Sequence, residues 1–180
     1  MRLVILSLLT LGYPLLVYLG VHHFEPRIVA ALLALIALVR AIATREKTWL
    51  VVSVCALLLS AAAAIGNQEL PLKLYPVLVN AALLIIFMIS LRFPPTAIER
   101  LARIREPDLA PSGIRYTRQV TWVWCGFFLV NGSIALITAL WASTEVWALY
   151  NGLISYLLMA SLFSIEWLIR QKVKAKALDD

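Results

Sequence analysis

The chain has 180 residues, of which 62% are hydrophobic and only 14% charged, against about a quarter charged in soluble domains. With a mean hydropathy of +0.89, this excludes an ordinary soluble fold and indicates an integral membrane protein with a single transmembrane domain, 1–180. The formal net charge of +6 does not indicate a nucleic-acid partner, because the basic residues sit between apolar runs.

A bilayer core requires about 20 apolar residues per helix, and the alternating pattern of an outer-membrane barrel is absent. The fold class expected is therefore all-α and polytopic. Six transmembrane helices fit the hydropathy, at about 3–21, 28–44, 49–65, 74–91, 119–141 and 147–169. The first apolar run follows Arg2. It exceeds the 7–15 residues of a signal-peptide core and lacks an Ala-x-Ala site, so it reads as an uncleaved span. The second span contains Arg40 near one end, within snorkelling reach of the headgroups. The third ends in a row of small residues over 60–66 that lets another backbone approach closely.

Between the fourth and fifth spans lies the one long polar segment, 92–118, with Arg92, Arg100, Arg103, Arg105, Arg115 and Arg118. Pro94-Pro95 stops the preceding helix. Thr96-Ala97-Ile98-Glu99 has capping-box spacing. The helix it opens is expected to run to Glu106, where Pro107 ends it, and 108–113 reads as loop. On a helical wheel Ile98, Leu101 and Ala102 share one face and Glu99, Arg100 and Arg103 the other. This predicts a cytoplasmic, interfacial amphipathic helix lying at the headgroups, or a docking surface for an acidic partner.

Charge orients the bundle. Fourteen of the sixteen Lys and Arg fall on one side, leaving Arg27 and Lys73 on the other. By the positive-inside rule both termini are cytoplasmic. Trp49, Trp122, Trp141, Trp147 and Trp167 fall close to span ends, as an aromatic belt requires, with Trp124 slightly deeper.

Polar residues within spans are the candidates for function. Asn80, Asn131 and Asn151 each precede a small residue. Two readings apply: interhelical hydrogen bonds, or a polar path or pocket inside the bundle. Glu166 lies four residues before Arg170, a spacing that predicts an i,i+4 pair at the interface. Tyr13-Pro14 and Tyr75-Pro76 form a faint internal echo but fall at different depths, so no inverted repeat is assigned. Cys55 and Cys125 sit in apolar runs and read as packing residues. His22-His23-x-Glu25 is the one cluster of histidine and carboxylate, but its spacing matches no zinc motif. No catalytic triad, phosphate loop or paired intramembrane acid is present, so no catalytic residues, metal or cofactor are assigned.

Ile98-Glu99-Arg100-Leu101-Ala102-Arg103, Pro107-Asp108-Leu109, 116–121, 122–132 and Trp147-Ala148-Leu149-Tyr150-Asn151-Gly152-Leu153-Ile154 carry a resemblance. Over its second half the chain resembles a family of uncharacterised bacterial inner-membrane proteins encoded beside acyl carrier protein, ketosynthase and acyltransferase genes, as in aryl polyene lipid clusters. The resemblance implies a multi-pass protein of the bacterial inner membrane that helps make or export an acyl lipid. It supplies no catalytic residues. The function expected is a non-catalytic accessory that docks an acidic cytoplasmic partner such as acyl carrier protein through Arg100, Arg103, Arg105, Arg115 and Arg118. The alternatives are a small transporter or flippase for a lipid intermediate, using Asn80, Asn131 and Asn151, and an unrecognised membrane enzyme at His22–Glu25.

Overall fold

The computed structural model describes residues 17–19, 28, 31, 35, 47–66 and 68–179. All but isolated positions of the first two expected spans lie outside the described residues, as do His22, His23, Glu25, Arg2, Arg27, Arg40 and Arg45. Among the described residues every regular element is helical. Three stretches among the described residues are long and apolar enough to cross a membrane: Leu70–Arg92, Pro111–Trp141 and Thr144–Gln171.

The elements are α1 (Lys47–Gly66), α2 (Leu70–Lys73), α3 (Tyr75–Arg92), α4 (Ala97–Arg103), α5 (Pro111–Trp141), α6 (Thr144–Leu149), a π-helical turn (Tyr150–Ile154) and α7 (Ser155–Asp179). Helices α3 and α5 form the most extensive pairing. One core cluster, Val120, Trp124 and Phe128 of α5, packs against Leu83, Leu84 and Phe87 of α3 and Met159 and Leu162 of α7. Trp124 meets Phe163 at 4.5 Å between ring centroids, and Phe87 meets Phe128 edge-on at 5.1 Å. Large apolar side chains such as Ile85, Met88, Val130, Ile137, Leu157 and Leu168 face outward, whereas Asn80, Thr121, Asn131, Thr138 and Asn151 are buried. Apolar outside and hydrogen-bonded polar inside is the arrangement a hydrocarbon solvent favours.

Local chemistry explains the helix ends. Phe93 closes α3 with φ −125° and ψ 87°, the extended conformation that the following Pro94 imposes. The Pro94–Pro95 peptide bond is cis. The capping box forms as the spacing predicts: Glu99 N donates to Thr96 Oγ1 at 3.3 Å and Thr96 N to Glu99 Oε2 at 3.3 Å. Helix α4 stops at Arg103, three residues short of the expected Glu106. The expected loop over 108–113 is shorter too, because Pro111 starts α5. Proline fits a first helical position, where its missing N–H would have no partner. Gly113 in that first turn lies under Leu109, whose Cγ and Cδ1 would stand 2.9 Å from an added Cβ.

At the opposite end of the bundle, Lys73 Nζ pairs with Glu69 Oε2 at 2.9 Å and donates to Thr144 Oγ1 at 2.8 Å. Thr144 Oγ1 in turn donates to Glu69 Oε2 at 3.1 Å, closing a triangle between α2 and α6. Trp147, fully buried, donates from Nε1 to Lys73 O at 3.1 Å. Here a lysine on the side expected to be poor in charge becomes part of the packing, its ammonium satisfied by two oxygens rather than by water.

Candidate functional site

Two regions hold the residues singled out in the sequence. The first is a polar node inside the bundle. Asn131 of α5 donates from Nδ2 to Asn80 Oδ1 of α3 at 3.0 Å and to Ser155 Oγ at 3.3 Å, and its Oδ1 accepts from the Tyr150 hydroxyl at 2.9 Å. Asn80 also donates to Pro76 O in its own helix at 2.8 Å. Asn151 donates to Thr138 Oγ1 of α5 at 3.2 Å and to Trp147 O at 2.9 Å. Asn80 and Asn131 are therefore brought together, and Asn151 forms a separate link about two turns away along α5, at Thr138.

The π-helical turn makes this possible. Its i→i+5 bonding, with Ser155 N donating to Tyr150 O, sets Ser155 over Tyr150 instead of rotating it past. Tyr150, Asn151 and Ser155 are all buried against α5 in consequence. Close approach of α3 and α5 is set by Gly132, where an added Cβ would lie 3.0 Å from Asn80 Cβ. A cavity of about 90 Å³ adjoins the node, lined by Tyr75, Asn80, Asn131, Asn151, Ser155 and Tyr156 among others. That volume accommodates a few waters and is well below the roughly 300–1,000 Å³ of sites that enclose organic ligands. In this conformation the node joins helices beside a small, partly polar space.

The second region is the arginine-rich stretch, whose residues separate into two groups. Arg103 donates from Nε and Nη2 to Glu99 Oε1 at 3.0 and 2.8 Å, and from Nη1 to Pro107 O at 2.9 Å. It thereby ties the capping box to the following loop. Arg118 Nη1 donates to Leu91 O at 3.1 Å, clamping the end of α3 to α5. Arg100 Nε donates to Pro95 O at 2.9 Å while remaining exposed. Arg105 and Arg115 are exposed as well. Glu99, expected on the polar face, is 5% exposed, and Leu101 and Ile104 are 58% and 78% exposed. The cap turns Glu99 inward because both Thr96 and Arg103 require its carboxylate.

Sequence reasoning missed several participants. Tyr150 and Ser155 complete the node, and only the π-helical turn aligns them. Glu166 receives the Tyr116 hydroxyl at 3.4 Å from Oε1, across two helices, whereas the i,i+4 spacing had pointed to Arg170. Ser90 bridges α3 to α4, donating to Phe87 O at 2.7 Å and accepting from Ala97 N at 2.9 Å. Cys125 is buried and free, as a packing residue is expected to be. Among the described residues no three His, Cys, Asp or Glu side chains gather in a way that suits a metal ion.

Comparison with protein-family models, with curated proteins and with solved structures returns no match.

Proposed function

We propose that the chain is a six-span protein of the bacterial inner membrane, with both termini in the cytoplasm and α4 lying at the cytoplasmic headgroups. We further propose that it is a non-catalytic accessory of acyl-lipid synthesis or export, offering its basic cytoplasmic surface to an acidic partner such as acyl carrier protein. The observation that carries the reading is the division of labour among the arginines. Arg103 is committed to holding the chain, while Arg100, Arg105, Arg115 and Arg118 are exposed at one end of the bundle, Arg100 and Arg118 each giving one bond to a backbone carbonyl. The family resemblance supplies the class of partner.

Each exposed charge contributes about 0.2–1 kcal/mol and is screened by salt. Arg100→Gln with Arg115→Gln together is therefore expected to weaken carrier-protein binding about two- to thirty-fold, mainly through the association rate. Arg103 is retained in that variant so that the loop stays built. The assay is binding of acyl carrier protein to the purified protein in nanodiscs of neutral lipid, and unchanged affinity in the correctly oriented variant would sink the docking reading.

A second reading, a small transporter or flippase for a lipid intermediate, is favoured by the asparagine-lined cavity between α3, α5 and α7. It requires that cavity to widen during a transport cycle, and it predicts loss of lipid movement in Asn131→Leu protein that remains folded. The enzyme alternative at His22, His23 and Glu25 predicts loss of function when both histidines become Gln, with stoichiometric metal in the purified protein.

A further inference from the structure

At the end of the bundle where the arginines gather, a groove of about 490 Å³ opens between α4, α5 and α7. Its volume falls within the roughly 300–1,000 Å³ of organic-ligand sites, more than the cavity at the asparagine node. Leu101, Val120, Trp124 and Phe163 make its apolar walls, and Arg105, Glu166 and Arg170 its polar ones. Trp124 is 4% exposed and fixed against Phe163 and Phe128, so this wall is rigid.

The charges are arranged for an anion. Glu166 has the Tyr116 hydroxyl on its carboxylate. Arg105 and Arg170 come from different elements, and neither forms a salt bridge among the described residues. Two cations and one carboxylate leave a local excess of one positive charge. The complement is a molecule with one net negative charge at one end and a hydrocarbon tail at the other. Guanidinium suits phosphate because its planar N–H fork matches two oxygens at once, and the apolar walls reward a buried chain.

We propose that this groove is a binding site for an anionic phospholipid, its phosphate held by Arg105 and Arg170 and one acyl chain laid along Leu101, Trp124 and Phe163. The site requires this end of the bundle to lie at the headgroups; it shares Arg105 with the carrier-protein reading, whose Arg100 and Arg115 lie outside the groove. Two cations beside one apolar groove separate it from general attraction to the bilayer surface, which every exposed arginine shares.

The test is native mass spectrometry of the full chain in neutral detergent, titrated with dioleoylphosphatidylglycerol or dioleoylphosphatidylcholine. One bound phosphatidylglycerol is expected per chain, in clear preference to phosphatidylcholine. Arg105→Gln with Arg170→Gln is expected to lower that preference about ten- to thirty-fold, and the matching Lys pair is expected to keep most of it. Arg100→Gln with Arg115→Gln removes the same charge outside the groove and is expected to leave the preference intact. Equal loss in the two Gln pairs would show surface electrostatics only and overturn the site. So would equal binding of the two lipids by the unmodified chain, or full displacement of phosphatidylglycerol by millimolar inorganic phosphate, which lacks the tail the groove is shaped for.

Discussion

Replacing Asn131 by Leu removes the centre of the polar node, and the structure sets the size of the effect. Asn131 makes three hydrogen bonds to other segments, to Asn80, Ser155 and Tyr150. Side-chain hydrogen bonds between membrane helices average about 0.6 kcal/mol and reach about 1.7, so losing three costs about 2 kcal/mol. Asn80→Leu loses one such bond, since its other partner is Pro76 O in its own helix, and costs about 0.6 kcal/mol. The two substitutions are therefore unequal although they break the same contact. In a double-mutant cycle their coupling is expected near 0.6 kcal/mol, the value of the shared bond. Water entering the adjoining 90 Å³ cavity can recapture the stranded Ser155 hydroxyl, which lines it, and this keeps the larger figure near 2 rather than higher. The assay is reversible unfolding by SDS in mixed micelles. If Asn80→Leu proves as costly as Asn131→Leu, or if the coupling is zero, the hydrogen-bond reasoning fails.

Other substitutions probe other joints. Gly132→Ala places a methyl 3.0 Å from Asn80 Cβ and is expected to cost about 1–3 kcal/mol; Gly126→Ala, with nothing within 4 Å, is expected to stay within about 1 kcal/mol of the parent in the same titration. Thr96→Ala removes the cap from Glu99 N and is expected to cost about 1 kcal/mol locally, seen as several-fold faster amide exchange over 97–103 with little change elsewhere; uniform exchange would contradict it. Trp147→Phe keeps one aromatic ring but loses the Lys73 O bond and the rest of the fully buried indole, so about 2 kcal/mol is expected, below the 3–5 kcal/mol of Trp147→Ala; comparable losses would mean that packing is not what Trp147 contributes.

Much of the membrane-facing half of this fold was legible in the chain. Pro94-Pro95 marks the end of α3 to within two residues, and Thr96 with Glu99 announces the capping box, because both act through backbone geometry a few residues away. The tendency of Asn80 and Asn131 to bond between helices was legible as well, since an amide in hydrocarbon has few other options. Their partners were not. Tyr150 and Ser155 reach Asn131 only because five residues bond i→i+5, and no apolar periodicity reports such a turn. The bonds of Arg103 to Pro107 O and of Arg118 to Leu91 O were equally hidden, placed by the path of the chain rather than by its local pattern, whereas the Arg103–Glu99 pair is an ordinary i,i+4 spacing. Glu166 shows the same limit: i,i+4 spacing sees one helix, and its hydroxyl donor stands on another.

The topology is the claim on which the cytoplasmic arginine surface and the lipid groove both depend. Between Gly66 and Ser112, among the described residues, one stretch is long and apolar enough to cross a membrane, Leu70–Arg92, and the proposed topology puts the two positions on opposite sides. Both are exposed. The direct measurement is labelling of Gly66→Cys and Ser112→Cys, separately, in a background with Cys55 and Cys125 changed to Ala, using a membrane-impermeant maleimide on intact spheroplasts. Gly66→Cys is expected to react at once and Ser112→Cys only after the membrane is opened. Reaction of Ser112→Cys from outside in intact spheroplasts would contradict the orientation, and with it the cytoplasmic placement of the arginines.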